Sequence, residues 1–347
     1  MYLRKGVREE EDTQREKNTS ASTAPLTGIH LMWNKRYTVP MTSNREESID
    51  RSERIALLSI FVAPMIGAGL AWAGSRGGVT AYGAPVFALA IAVAFGMQWL
   101  AFIPSFALRT ERFYDLVGGT TYLGAVILAT VLRARVDARS LLLAAMVAMW
   151  AVRLGSFLFL RVLRAGVDDR FREIKASFLR FLSAWTVQGL WVSFTLAAAL
   201  AAMTTADSVP LGIAAAIGCA VWLIGFGLEA FADVQKRRFR DDPANRGRFI
   251  RSGLWAWSRH PNYFGEIVLW AGIAIVAAPA LRGWQWVTML SPIFVAILLT
   301  RISGIPILER RADEKWSGEP DYELYKTRTP VLIPRPPKRR EDDERPR

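Results

Sequence analysis

Residues 251–280 read RSGLWAWSRHPNYFGEIVLWAGIAIVAAPA, and the change of character halfway along decides the fold. The first half packs Arg251, Arg259, His260, Asn262, Tyr263 and Glu266 among indole and phenyl rings. From Tyr263 to Ala280 the only charge is Glu266. An apolar run of that length matches a hydrocarbon core of about 30 Å at about 1.5 Å of rise per helical residue.

Working outward, the same kind of block recurs. Ile55–Ala73, Tyr82–Pro104, Leu116–Leu132, Ser140–Leu163, Phe178–Met203 and Pro210–Ala232 precede it, and Trp284–Leu308 follows. Lipid offers the backbone no hydrogen-bond partners, so each block must close its bonds within a helix. The expected fold is all-α: a polytopic transmembrane helix bundle of about eight spans.

The chain has 347 residues, 13 of them Trp, and a formal net charge of +13. So basic a balance often marks a nucleic-acid binder. Here the Arg residues cluster at the ends of apolar blocks, where they act on topology and lipid headgroups, so the expected partners are membrane lipids and no nucleic acid. The single Cys219 lies within an apolar block and has no partner for an intrachain disulfide. With only His30 and His260, no metal centre is expected.

The loops set the orientation. Residues 105–115, 164–177 and 233–262 hold most of the Arg and Lys, whereas GSRGG at 74–78 and the turns at 204–209 and 281–283 are nearly uncharged. Arg133, Arg135 and Arg139 in the 133–139 connection are the exception. On balance both termini are cytoplasmic, which requires an even number of spans and makes a bacterial inner membrane the expected location. Residues 1–53 read as a disordered polar tail without the apolar core of a signal peptide, with Met32 and Met41 as alternative starts. Residues 54–308 form the bundle, 309–337 an ordered segment that closes over the site, and 338–347 a disordered charged tail.

Three segments carry chemistry. In the first, Glu229 and Asp233 stand four apart on one helical face, and Lys236, Arg237 and Arg240 continue about that face. This is either a snorkelling helix end or a polar cleft in which cations hold phosphates and acids hold hydroxyl or amide groups. In the second, Pro261 suits the first turn of a helix whose N-terminus, with Arg251, Arg259 and His260, favours an anion. An aromatic membrane belt explains Trp255, Trp257 and Tyr263, but not Asn262 and Glu266 entering an apolar span. In the third, Arg310, Arg311, Tyr325 and Arg328 either close over a ligand or pair with Glu309, Asp313 and Glu314 on a solvated face.

Taken together, RFYDLVGG (112–119), EAFADVQKRRFR (229–240), GLWAWSRHPNYFGE (253–266) and YKTRTPVLIP (325–334) resemble the steroid 5α-reductase C-terminal domain superfamily, and more closely its bacterial DUF1295 branch. The resemblance runs from about Phe113 to Pro337. It implies a helix bundle with a cytoplasm-facing NADPH site and a lipophilic substrate. By position, Asp233, Arg240, Asn262, Glu266, Arg311 and Tyr325 match cofactor-contacting residues, and Glu229 stands where some reductases have Asn. Read from the three segments themselves, the candidate cofactor set also takes in Lys236, Arg237, Arg251, Arg259, His260, Tyr263 and Arg328.

The implied reaction is hydride transfer to the β-carbon of an unsaturated carbonyl or sterol-like lipid while an acid polarises the carbonyl. Steroid reductases use a Glu and a Tyr on earlier spans for this. The corresponding places here hold Gln98 and Trp150, followed by Arg153. Tyr114 and Asp115 are the candidate catalytic substitutes, with Tyr122 further along the same span; an interface tyrosine is also an ordinary anchor. Two other readings stay open. One is a methyltransferase that uses S-adenosylmethionine on an isoprenoid lipid. The other is a lipid-binding protein of the same fold that has lost the acid.

Overall fold

In the computed structural model, residues 41–133, 136–165, 171 and 174–337 are described. The expected N-terminal tail as far as residue 40, Arg135 and the charged tail 338–347 lie outside the described residues. The chain divides into two units, Met1–Glu47 and Ser48–Arg347, and the second holds all the membrane-crossing segments.

Eight helices are long and apolar enough to cross a membrane. They begin with α1 (Met41–Gly74), α2 (Val86–Ala107), α3 (Tyr114–Val131) and α4 (Ala138–Ala165). Then come α5 (Phe178–Thr204), α6 (Ile213–Asp241) and α7 (Pro261–Ala277). The last span contains α8 (Leu290–Ile297) and runs into α9 (Ile305–Trp316), which α10 (Pro320–Arg328) follows. The only strands among the described residues are β1 (Thr80–Ala81) and β2 (Ala84–Pro85), paired antiparallel.

The most buried span is α5, whose residues Leu196–Met203 are all in the core. It packs against α2, α3, α4, α7 and α8, so the bundle is built round it. The tightest seam is that between α6 and α7. Gly218 and Gly225 on α6 meet Gly272 and Gly265 on the antiparallel α7, each glycine against the other helix's backbone. No hydrophobic drive joins helices within lipid, so close backbone approach at small residues is what holds such a pair.

Four features depart from the sequence expectation. The second span starts at Val86 because Tyr82 and Gly83, at φ 52 and 78, form a tight hairpin turn ahead of it. The sixth helix runs beyond Ala232 to Asp241, so the acids and the following basic residues share one rigid rod. The eighth span is not one α-helix: a 3-10 segment (Gly283–Met289) leads into α8, and a π segment (Leu298–Ile302) ends it at Ser303. Apolar composition marks a span, but it carries no information about a change of helical winding.

The fourth concerns the exceptional arginines between α3 and α4. Arg133 donates to the Met203 carbonyl at 2.7 Å and pairs with Asp137 at 2.8 Å. Arg139, 2% exposed, donates to the carbonyls of Val276, of Pro210 at 2.7 Å and of Val209 at 3.3 Å. The carbonyls at a helix C-terminus lack intrahelical donors and carry the negative end of the macrodipole. These two guanidiniums therefore cap α5 and α7 from inside the protein, which is why they break the charge pattern of the loops.

Candidate functional site

Where α6 nears its C-terminal end, three helices bring charge into the bundle. Glu229 and Asp233 lie one turn apart on α6 and are both buried. Arg153 of α4 reaches both, forming an ion pair with Glu229 and meeting Asp233 at 3.1 Å. From the first turn of α7, Asn262 donates to Asp233 Oδ1 at 3.2 Å. Glu266, one turn deeper on α7, lies within electrostatic reach of Glu229, Asp233 and Arg153. The glycine seam makes this possible: a Cβ on Gly265 would lie 2.6 Å from the Gly225 carbonyl and 3.0 Å from Glu229 Cα.

Aromatic rings line the interior beside the acids. Trp150 of α4, Trp270 of α7 and Tyr122 of α3 meet pairwise, with ring centroids 4.9 Å (Trp150–Trp270), 5.0 Å (Tyr122–Trp150) and 6.1 Å (Tyr122–Trp270) apart. The Tyr122 hydroxyl lies beside Thr195 of α5, within reach of the charge on Glu266. The Trp150 indole lies beside Glu229 yet falls short of hydrogen-bond geometry. Trp150 Nε1 and Glu229 Oε2 are thus buried without a hydrogen-bond partner.

Next to this cluster is a cleft of about 330 Å³. It runs between the end of α6, the 248–260 loop, α9 and α10. Lys236, Arg240, Arg248, Arg259, Arg311 and Lys315 give it six cations, against a single acid, Glu309. Its aromatic wall joins Phe249 to Trp316, Tyr322 and Tyr325 at centroid distances of 5.8, 5.3 and 5.4 Å. Trp255 lies under Lys236, 4.5 Å from ammonium to ring centroid, and is anchored by its indole N–H to the Ala232 carbonyl at 3.1 Å. Gly253, at φ 61, turns the loop over Gln235, where a Cβ would strike the amide at 2.7 Å.

Latches hold the far wall. Glu309 of α9 pairs with Arg259 and meets His260 Nε2 at 2.7 Å. Trp316 donates to the Gly247 carbonyl at 2.7 Å, and the Tyr325 hydroxyl donates to the Trp255 carbonyl at 2.8 Å. After α10 the chain straps across the loop, with Arg259 N–H to the Pro330 carbonyl at 2.9 Å and Arg335 N–H to the Trp257 carbonyl at 2.9 Å. Burial pushes the His260 imidazole below its ordinary value, against the opposite pull of Glu309. Burial likewise raises the Tyr325 phenol.

Of the residues singled out in the sequence, Lys236, Arg240, Arg259, His260, Arg311 and Tyr325 line the cleft. Glu229, Asp233, Asn262 and Glu266 form the acid cluster. Tyr263 stacks on His260 at 5.8 Å, behind the cleft wall. Arg237 and Arg328 are not among the cleft's lining residues. Arg251 pairs with Asp321 at 2.9 Å on the outside. Tyr114 packs on Phe171 and Trp185 and donates its hydroxyl to the Ala184 carbonyl at 3.0 Å, as an anchor does. Tyr114 and its neighbour Asp115 stand two turns, roughly 12 Å of helix rise, from Tyr122.

Arg153 is the most informative residue the motif reading passed over. An arginine within an apolar span is itself a signal, because such a charge needs a partner inside the protein. Arg248, Phe249 and Lys315 carried no such signal, since they read as ordinary loop and surface residues, whereas Trp316 belongs to the C-terminal segment expected to be ordered. Among the described residues, no group of three or more His, Cys, Asp or Glu is arranged to hold a metal ion.

A bovine (Bos taurus) 3-oxo-5-alpha-steroid 4-dehydrogenase 1 is 29% identical over 117 residues, 34% of this chain and 40% of that protein. The rat (Rattus norvegicus) protein of the same name is 28% identical over 118 residues, again 34% and 40% of the two chains. An uncharacterized protein of Schizosaccharomyces pombe is 30% identical over 102 residues, 28% of this chain and 27% of its own length. The chain thus spans less than half the length of the curated relatives it matches. No solved structure matches it. Residues 101–329, which contain both the cleft and the acid cluster, match the model described as "Protein of unknown function (DUF1295)", and the chain belongs to that family.

Proposed function

We propose that this protein is an integral-membrane reductase that uses NADPH to saturate a C=C bond of a lipophilic, steroid-like unsaturated carbonyl. One observation carries the reading: a six-cation, aromatic-walled cleft and a buried acid cluster are built on the same two helices, α6 and α7. The two share their supports. Lys236 lines the cleft three residues after Asp233 on α6, and His260 lines it two residues before Asn262 on α7.

The residues fit the group. Six cations against one acid suit a ligand with several phosphates, and the aromatic wall suits a purine. Arg259 Nε is a buried donor without a hydrogen-bond partner beside the cleft. Lys236, Arg240, Arg248, Arg259, Arg311 and Lys315 would hold the phosphates. Asn262, Asp233 and Glu229 offer the amide and carboxyl groups that suit a nicotinamide amide or ribose hydroxyl. When bound, NADPH supplies a hydride. Arg153 keeps the acids in place, and the rings of Tyr122, Trp150 and Trp270 keep the reacting end apolar and dry. The relatives named 3-oxo-5-alpha-steroid 4-dehydrogenase support a fused-ring lipid as substrate. The Arg-rich loops around the cleft support a cytoplasmic mouth in a bacterial inner membrane.

Titrating the detergent-solubilised protein with NADPH, read by Trp fluorescence, tests this. Arg240→Ala and Arg311→Ala should each weaken binding by about 10- to 100-fold, as expected for charge-assisted phosphate contacts. A response to S-adenosylmethionine with none to NADPH would overturn the reading in favour of a methyltransferase.

A further inference from the structure

Arg259 is the most enclosed guanidinium of the cleft, its side chain 12% exposed, whereas Arg240, Arg248, Arg311 and Lys315 are exposed. An anion held at Arg259 is screened least by water, so that contact counts for most. The protein already uses it. Glu309 of α9 reaches Arg259 Nη1 with one carboxylate oxygen and His260 Nε2, at 2.7 Å, with the other. Facing a carboxylate, Nε2 is the ring nitrogen that carries the proton. A carboxylate among six cations weakens the pull of the cleft on every anion, so Glu309 works against the ligand its neighbours suit. The wall has other fastenings, all neutral: Trp316 to the Gly247 carbonyl at 2.7 Å and the Tyr325 hydroxyl to the Trp255 carbonyl at 2.8 Å. Nor does the carboxylate use the guanidinium fully. It takes Nη1, while Arg259 Nε stays buried without a partner. A phosphate that takes Nε together with a neighbouring Nη makes two parallel bonds where the carboxylate makes one.

We propose that Glu309 is an internal competitor for the cleft, holding Arg259 and His260 until a polyphosphate displaces it. This rests on the phosphate-binding part of the reading above, and not on its redox chemistry. Because it is tethered, Glu309 meets Arg259 at an effective concentration that a free ligand with one carboxylate does not match. A polyphosphate overcomes that advantage, because Arg240, Arg248, Arg311 and Lys315 hold its other charges while it contests Arg259. The displaced carboxylate has somewhere to go. Its side chain is 22% exposed, and α9 buries only Ile305 beyond the break at Ser303 and Gly304, so it turns to water with the core undisturbed.

Calorimetric titration of the solubilised full chain with inorganic pyrophosphate tests the competition. Glu309→Gln should bind about 10-fold more tightly than the wild type, the scale of one charge-assisted hydrogen bond no longer opposed. Glu309→Asp keeps the charge but is one methylene too short to bridge both partners, and should tighten binding by about 3-fold. In an Arg259→Gln background the contested group is gone, and adding Glu309→Gln should then change affinity by less than about 2-fold. A Glu309→Gln protein that binds no more tightly than the wild type, or more weakly as a damaged wall would, overturns the competitor. Equal tightening in the Arg259→Gln background, or a Glu309→Asp protein that matches the wild type, also overturns it, since either reduces Glu309 to its general charge. These titrations need no nicotinamide. The predicted tightening in a protein that oxidises no NADPH would keep the competitor and sink the reductase reading, and NADPH oxidation without the tightening would do the reverse.

Discussion

Gly225 and Gly227 lie two residues apart on α6, and replacing each with Ala should have opposite outcomes. A Cβ on Gly227 meets nothing within 4 Å, so Gly227→Ala adds helix propensity alone, a gain of up to about 1 kcal/mol. A Cβ on Gly225 would lie 2.6 Å from the Gly265 carbonyl and 2.9 Å from Leu269 Cα. Both are backbone atoms of α7 and cannot rotate away. Relieving them, and the still closer Leu269 backbone nitrogen, to about 3.5 Å means opening the seam by about an ångström, roughly the overpacking that costs 1–3 kcal/mol. Both variants gain the same propensity, so the difference between them isolates the seam at about 1–3 kcal/mol. For a domain of this order of size that corresponds to roughly 2–12 °C in unfolding midpoint. Unfolding of a solubilised membrane protein is operationally kinetic, so both variants should be heated at one fixed scan rate in one detergent and followed by Trp fluorescence. Equal midpoints for the two variants, or a Gly227→Ala protein less stable than Gly225→Ala, would refute the close packing of α6 on α7. The same opening would lift Glu229 off Gly265, so Gly225→Ala should also weaken NADPH binding.

Other consequences are read at different ends of the molecule. Arg139→Met should lower the unfolding midpoint by the equivalent of about 1–3 kcal/mol, because it strands the buried Val276 carbonyl and removes the donor to those of Val209 and Pro210. Arg139→Lys should recover part of the loss. His260 is held below its ordinary value of 6.5 by burial, so the unfolded chain binds more protons as the pH falls beneath that value. The stability this residue contributes is present above pH 6.5 and declines on acidification. Thermal midpoints measured on either side should diverge in the wild type and converge in His260→Gln; parallel profiles would rule out the effect. Tyr325→Phe removes a hydrogen bond to the Trp255 carbonyl and should cost about 1 kcal/mol in the same assay.

The eight spans could be read from the sequence because a bilayer imposes one length and one polarity on every crossing, so composition and run length suffice. The RHPNYFGE stretch told as much about α7, because Pro261 at a first turn and Asn262 and Glu266 four residues apart follow from local geometry. The spacing of Glu229, Asp233, Lys236 and Arg240 was equally legible, since a single helix sets it. What linear pattern could not supply is which helix answers which. The partner of both acids is Arg153, 76 and 80 residues away, and only the packing of α4 against α6 selects it. The choice among basic residues is of the same kind: Arg240 and Arg311 face the cleft while Arg251 pairs outward with Asp321. The triad of Tyr122, Trp150 and Trp270 comes from three helices and leaves no trace along any one of them. The arginines at 133 and 139 looked like exceptions to a charge rule until the ends of α5 and α7 were placed beside them. Local propensity and solvent partition act through near neighbours and are written along the chain. Pairing of buried charge acts through space, and only the tertiary structure decides it.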